Sequence, residues 1–389
     1  MALSGRLFAV PRLWISDMCV SVPGDQVSEG IWLGPAPRVS VGLPVYNGER
    51  YLAECLDSLL SQSFPDFELL IFDNASTDAT PDICAEYARR DRRVSYHRQR
   101  ENVGAARNYN DVFHAARGEL FKWAAHDDLC EPTYLERCVE AFDAHGPGVT
   151  LVYPQTLFVD EANRGIVVYP DRLDLRQPSA VVRYRTLLRN LWYCNAVFGM
   201  IRRADLATTD LIGPYESSDC VLLAELALRG RFVEVPEVLF RRRMHREMSR
   251  QANQNAADIA AWFDPSARGR RTRPHFRLLA EHFRAVARAP IPVSRRLLCA
   301  AEICRTWLPR YWRVMAGEVA PESLRLALGS GRPISRPESA AAASEPVAGR
   351  CHQYSQSVPV RPASESVQSD PVFLCVARTP AAEGTRCRC

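Results

Sequence analysis

Residues 38–78, RVSVGLPVYNGERYLAECLDSLLSQSFPDFELLIFDNASTD, decide how the rest of the chain reads. The first run, RVSVGL (38–43), is short and rich in β-branched residues, the pattern of a strand buried on both faces. Pro44 to Gly48 break it with turn residues, and Asn47 is placed to cap the next helix. Residues 49–62 then put Leu52, Leu56, Leu59 and Leu60 on one helical face. FELLIF (67–72) reads as a second buried strand, and the polar run after it opens a helix near 79–90 with Pro81 in its first turn.

The alternation continues outward. VSYHR is a short third strand, GAARNYNDVFHAA a helix, and ELFKWAA (119–125) a fourth strand. A helix after Pro132 leads to the strand VTLVYP (149–154). Strands alternating with helices at this spacing predict an α/β fold with a mostly parallel, doubly wound sheet and flanking helices. Ligands in such sheets sit at the carboxyl ends of the strands, where the polar clusters after the first four strands fall.

Composition narrows the possible functions. The 389 residues are 47% hydrophobic and 24% charged, enough apolar material for a sizeable core and too much for a disordered chain. A net charge of +4 over this length is no nucleic-acid signature. Of the 49 basic side chains only Lys122 is lysine, a bias that points to base composition of the coding sequence more than to a phosphate-reading surface. The thirteen cysteines are scattered, with no ladder of spacings that would mark a metal or disulfide framework. With an odd count and no secretory signal at the N-terminus, they suggest a reducing cytoplasm.

The chemistry-bearing residues lie at strand ends. After the second strand come Asp73, Asn74, Ala75, Ser76, Thr77 and Asp78. Ser76 or Asp78 serves as a helix cap, whereas Asp73 is a carboxylate that the cap does not require. An acid there suits a hydrogen bond to a ribose hydroxyl or a base N–H. After the third strand, Gly104 permits close backbone approach, and Arg107 is one turn into a helix, within reach of a phosphate or simply exposed. The fourth strand ends in Ala125-His126-Asp127-Asp128. Adjacent carboxylates on a buried strand repel one another unless something neutralises them, and a divalent cation shared with substrate phosphates does so. An acid pair in a loop before Pro132 is the plainer alternative.

In this order, PVYNG, FDNASTD, ENVGAARN and HDD resemble the family 2 glycosyltransferases, over about residues 38–250. The resemblance implies the GT-A fold and inverting transfer from a nucleoside-diphosphate-sugar donor to an acceptor hydroxyl on a polysaccharide, lipid-linked glycan or other glycoconjugate of the cell envelope. It implies nucleotide contacts at Pro44, Tyr46, Glu49, Asp73, Arg107 and Asp127. It further implies a divalent cation, Mn2+ or Mg2+, at Asp128 and His245, and Arg243 against phosphate. Ala125 stands where the family pattern D-x-D-D has its first acid, so the acidic motif rests on Asp127 and Asp128 alone. An inactive nucleotide-sugar-binding or scaffold relative is therefore the alternative reading.

An inverting transfer needs a base near the sugar. Glu216-Ser217-Ser218-Asp219 opens a strongly amphipathic helix, where Ser218 or Asp219 would equally serve as cap. The resemblance assigns the base to Asp219, with Glu216 as second choice. A dinucleotide dehydrogenase fails for want of G-x-G-x-x-G after the first strand. A sugar-phosphate nucleotidyltransferase fails for want of a glycine-rich, arginine-containing first loop.

Outside the catalytic stretch, residues 1–37 read as an irregular leader and 331–389 as a low-complexity tail. Residues 251–330 read as a helical appendage. Its segments place apolar and aromatic residues opposite arginines, which suits either packing on the catalytic domain or peripheral contact of 253–330 with the inner face of an anionic membrane.

Overall fold

The computed structural model describes residues 35–246, 256–268 and 273–320. Most of the expected leader and the whole expected tail lie outside the described residues. Strand β1 (Val39–Val45), helix α1 (Leu52–Leu60), β2 (Phe67–Asp73), α2 (Thr80–Arg90), β3 (Val94–Arg98), α3 (Ala105–Ala115) and β4 (Leu120–Trp123) follow in the expected order. β1 lies between β2 and β4, and β2 pairs with β3, all in parallel.

Past β4 the sheet becomes mixed. It adds β5 (Leu129–Cys130), β6 (Val149–Val159), β7 (Gly165–Tyr169), β8 (Met200–Arg202) and β9 (Arg231–Arg243). The order is β3-β2-β1-β4-β8-β6-β9-β5, with β7 beside β6. β8 runs antiparallel to both β4 and β6, while β6 and β9 are parallel. Two reversals restore the direction, so β1, β2, β4, β6 and β9 all end on one edge of the sheet. The short reversed strands were not legible as sequence periodicity, because two or three residues carry no period.

Side chains alternate between two cores, as the pleat requires. Leu69 and Ile71 join α1, α2 and α4 (Tyr134–His145) on one face; Leu70 joins α3, α5 (Ala180–Asn190) and α7 (Ser218–Arg229) on the other. In α7 every residue from Val221 to Leu228 is buried. Helices α8 (Ala256–Phe263), α9 (Pro274–Arg288), α10 (Val293–Glu302) and α11 (Leu308–Val319) come after the short α6 (Arg203–Leu206) and α7. Leu278, Val286, Cys299, Ile303, Trp307 and Met315 share one apolar cluster with Leu187 of α5 and Leu222 of α7. The described part of 251–330 thus packs into the same core as the sheet. Among the described residues no helix is long and apolar enough to cross a membrane.

Candidate active site

The common strand edge holds a cleft of about 1100 Å³. Its floor is the β1 end. Asn47, in the left-handed region with φ 49°, turns the chain so that its Oδ1 accepts from Thr77 N at 2.9 Å and its own N–H donates to Ser76 Oγ at 2.9 Å. Gly48 N donates to Thr80 Oγ1 at 2.8 Å, and Glu49 Oε2 accepts from Ala79 N at 2.8 Å. These bonds tie the β1 loop to the start of α2. Pro44, Tyr46 and Glu49 line the cleft, though one Glu49 oxygen is occupied in holding the loop.

Opposite the floor stands the acidic pair. The antiparallel register Leu129↔Arg241 between β5 and β9 brings Arg243 across from Asp127 and Asp128. Arg243 N donates to Asp128 Oδ1 at 2.9 Å, and Arg243 Nε to the Asp127 carbonyl at 3.0 Å. His245 Nε2 meets Asp127 Oδ2 at 2.7 Å. Burial works against the charge of Asp127, but the His245 hydrogen bond and the neighbouring imidazoles prevail and hold it down at about 2. Asp128 is pushed up to about 8, first by burial and then by the charge of Asp127, with Arg242 and Lys122 only partly offsetting them. An ionised Asp127 beside a protonated Asp128 is the electrostatic state that a cation would replace.

His245 is almost fully buried, and its Nδ1 has no hydrogen-bond partner among the described residues. His245 Nε2 already faces Asp127, so the orphaned Nδ1 lies on the other side of the ring. Asp127, Asp128 and His245 border one cleft with donor chemistry that suits a divalent cation, but their ligand atoms are not gathered within 4.8 Å as they stand.

Other predicted residues lie elsewhere. Asp73 is completely buried and does not line the cleft. Its oxygens accept from Ser76 N at 2.8 Å and from the Tyr96 hydroxyl at 3.0 Å, so it organises the turn. The neighbouring Asn74 faces the cleft, held by Asn102 and Val103 N. Arg107 is mostly exposed, 3.6 Å from Asp111, and is not among the lining residues.

Arg243, expected to meet phosphate, lines the cleft but is buried, with every nitrogen engaged by the chain. Besides Asp127 it donates to the Glu161 carbonyl at 2.9 Å and to Glu54 at 2.6 Å, and it stacks on Tyr51. Its neighbour Arg242 takes the cleft-facing position. Arg242 Nη1 donates to Asn195 Oδ1 at 2.6 Å, and Asn195 Nδ2 donates to Asp171 at 3.1 Å. Both arginines line the cleft, but Arg243 is buried and engaged by the chain while Arg242 is only partly buried, a difference that a three-arginine run does not reveal.

Asp219 lies in the first turn of α7, after Ser217 in the left-handed region with φ 62°. Neither Asp219 nor Glu216 lines the cleft. Tyr109, which does, carries the connection: its hydroxyl is pushed far up by burial and by the charges of Asp127, Asp128 and Asp219 together. Asp219 therefore lies within electrostatic reach of a residue that lines the cleft. Two cysteines accompany it. Cys194 Sγ lies 3.0 Å from Cys220 Sγ, a juxtaposition across 26 residues that spacing did not reveal.

The roof is made by residues far along the chain. Ala261, Trp262, Pro265 and Arg268 line the cleft. They approach so closely that a Cβ on Gly104 would stand 2.6 Å from the Phe263 carbonyl. Gly104 also has φ +84°, where a side chain is strained.

Residues 40–208 match the family model described as glycosyl transferase family 2. The chain thus carries a family 2 glycosyltransferase domain with the GT-A fold. It is 41% identical over 102 residues to EpsH of Bacillus subtilis, which bears a glycosyltransferase name, covering 26% of this chain and 29% of that one. It is 30% identical over 138 residues to the uncharacterized glycosyltransferase RT0329 of Rickettsia typhi, covering 35% and 42%. The chain spans less than two thirds of the length of these relatives. The fold is similar to that of S. aureus TarS in complex with UDP-GlcNAc, with TM-score 0.56, 17% identity, and coverage of 74% of this chain and 77% of that one.

Proposed function

We propose that the protein transfers a sugar from a nucleoside-diphosphate-sugar donor to an acceptor hydroxyl, with inversion at the anomeric carbon. One observation carries the reading: Asp127, Asp128 and His245 line the strand-end cleft, with Arg242 facing in and Asp219 within electrostatic reach of the cleft-lining Tyr109. The UDP-GlcNAc complex of the structurally similar TarS supports a nucleotide-sugar donor.

In this mechanism Asn74, Asn102 and the Tyr46 loop receive the nucleoside, and Arg242 neutralises diphosphate charge. Asn195 and Asp171 hold Arg242 in place. Asp127, Asp128 and His245 would hold a divalent cation, which supplies electrostatic stabilisation of the departing diphosphate. Asp219 takes the proton of the acceptor hydroxyl as the new glycosidic bond forms and the donor bond breaks. Glu216 is the second choice for that base. The acceptor is a glycan or lipid-linked glycan, and α10 suits peripheral membrane contact at the cytoplasmic face: Val293, Leu297 and Leu298 are exposed beside Arg295.

Asp219→Asn tests the reading. We expect transfer to fall by about 10²- to 10⁴-fold, while calorimetric binding of nucleotide and Mn2+ persists. Full transfer by this variant would remove Asp219 from the base role. A specific observation favours a second reading, an inactive nucleotide-sugar-binding relative: Ala125 lines the cleft and brings no carboxylate. Slow hydrolysis of any nucleotide sugar by purified protein with Mn2+ decides against it.

A further inference from the structure

Three ligand-bearing side chains meet beside the cleft without lining it. Cys220 and Asp219 lie in the first turn of α7, and Cys194 precedes the short 3-10 turn Asn195–Phe198. The two sulfurs are 3.0 Å apart, and the Cys220 thiol, burial and the nearby Asp219 carboxylate together push the Cys194 thiol up. One ligand atom from each residue falls within 4.8 Å of the others. Cys194 is buried, while Cys220 and Asp219 are partly open.

We propose that Cys194, Cys220 and Asp219 form a site for a soft divalent cation such as Zn2+, and that its occupation halts transfer by engaging the Asp219 carboxylate. The second half rests on Asp219 being the base. Two thiolates and a carboxylate select Zn2+ over the hard cations Mg2+ and Mn2+, so this site and the Asp127–Asp128 site take different ions. Three protein ligands leave a fourth position open to water. With metal–sulfur bonds of about 2.3 Å, tetrahedral geometry sets the sulfurs about 3.8 Å apart, so the pair opens by roughly 0.8 Å on binding. Binding is a ligand exchange without redox change: the cation displaces two thiol protons, which pass to solvent, and accepts one carboxylate oxygen. A cation between the two segments also ties the start of α7 to the turn that presents Asn195, and through it Arg242.

Cd2+ serves as the probe, because its thiolate complexes absorb in the ultraviolet. The full chain, reduced with a phosphine and held in Mg2+, is titrated with Cd2+; Cys387 and Cys389 are replaced by serine throughout so that the terminal C-x-C does not contribute. The expected result is a thiolate band saturating at one equivalent, with transfer falling roughly 10²-fold over the same range, as removal of a general base does, and recovering on chelation. Cys194→Ser and Cys220→Ser each weaken Cd2+ binding at least about 10-fold, and each abolishes inhibition relative to its own metal-free rate. A band unchanged in both variants overturns the site. Should either variant not fold, wild-type Cys220 decides by mass spectrometry: one equivalent of Cd2+ protects it from alkylation, and equal labelling with and without Cd2+ overturns the site. Asp219→Asn separates the two readings. Undiminished transfer by that variant, with a cysteine-dependent band, removes the base and keeps the site; lost transfer by that variant, with no cysteine-dependent band in the wild-type protein, removes the site and keeps the base.

Discussion

Replacing Asp128 by asparagine exchanges a buried carboxyl for an amide of nearly the same shape. The oxygen that accepts from Arg243 N at 2.9 Å is retained, so what disappears is the capacity for charge. In the metal-free fold Asp128 is raised from 3.8 to about 8 by burial and by Asp127. A carboxyl with a raised folded pKa favours the fold below its unfolded value, near 4, and loses that advantage as pH climbs toward 8. Each unit is worth about 1.4 kcal/mol. Asp127 shifts the other way, from 3.8 to about 2, which stabilises the fold above pH 4 and cancels part of the loss. The pair together leaves a net penalty on the order of 3 kcal/mol at pH 8.

Asp128→Asn should therefore stabilise the metal-free protein by about 1–3 kcal/mol at pH 8 and by little at pH 4. For a domain of this size that corresponds to a rise of roughly 2–8 °C in melting temperature. The same variant should lose the stabilisation that Mn2+ and nucleotide confer together on the wild type, since a ligand binding only the native state raises its stability. Scanning calorimetry of both proteins at pH 5 and pH 8, with and without Mn2+ and nucleotide, reads all of this. A variant that melts below the wild type at pH 8, or a gap independent of pH, would refute the electrostatic coupling of the acidic pair.

Four other sites have distinct expected outcomes. Arg242→Ala should raise the donor KM at least about 10-fold with little loss of stability, whereas Arg243→Ala, which strips a buried guanidinium from Asp127, Glu161 and Glu54, should cost about 2–4 kcal/mol of stability in a denaturant melt. Gly104→Ala should cost about 1–2 kcal/mol from its positive φ and displace the roof, read as faster proteolysis within 256–268; unchanged cleavage would show the approach of Phe263 to be unimportant. His245→Ala should weaken Mn2+-dependent nucleotide binding about 10- to 100-fold in calorimetry, as the loss of a metal ligand or its supporting bond does.

Much was legible in the chain. The βα alternation from Val39 to Trp123 arises from hydrophobic periods long enough to read, and the strand-end placement of Asp127 and Asp128 comes with it. Short, mostly apolar runs bounded by turn residues can be buried only in a few ways, so local pattern and global fold agree. The exchange of Arg242 for Arg243, of Asn74 for Asp73, and the inward or outward facing of Arg107 were not legible. Each turns on a one-residue difference in burial or partners, which contacts with distant parts of the chain set.

The sequence by itself determined the α/β class, the direction of the first four strands, and the acids that gather at their ends, because periodicity and turn chemistry are local. Only the tertiary structure decided which of those polar groups remain open to a ligand. Asp73 and Arg243 have their hydrogen bonds completed by Tyr96, Ser76, Glu161 and Glu54, while His245 Nδ1 does not. It also brought Cys194 to Cys220 and laid Trp262 over the cleft. Whether a buried polar atom is satisfied depends on neighbours up to 189 positions away, as between Glu54 and Arg243, and no local pattern encodes that.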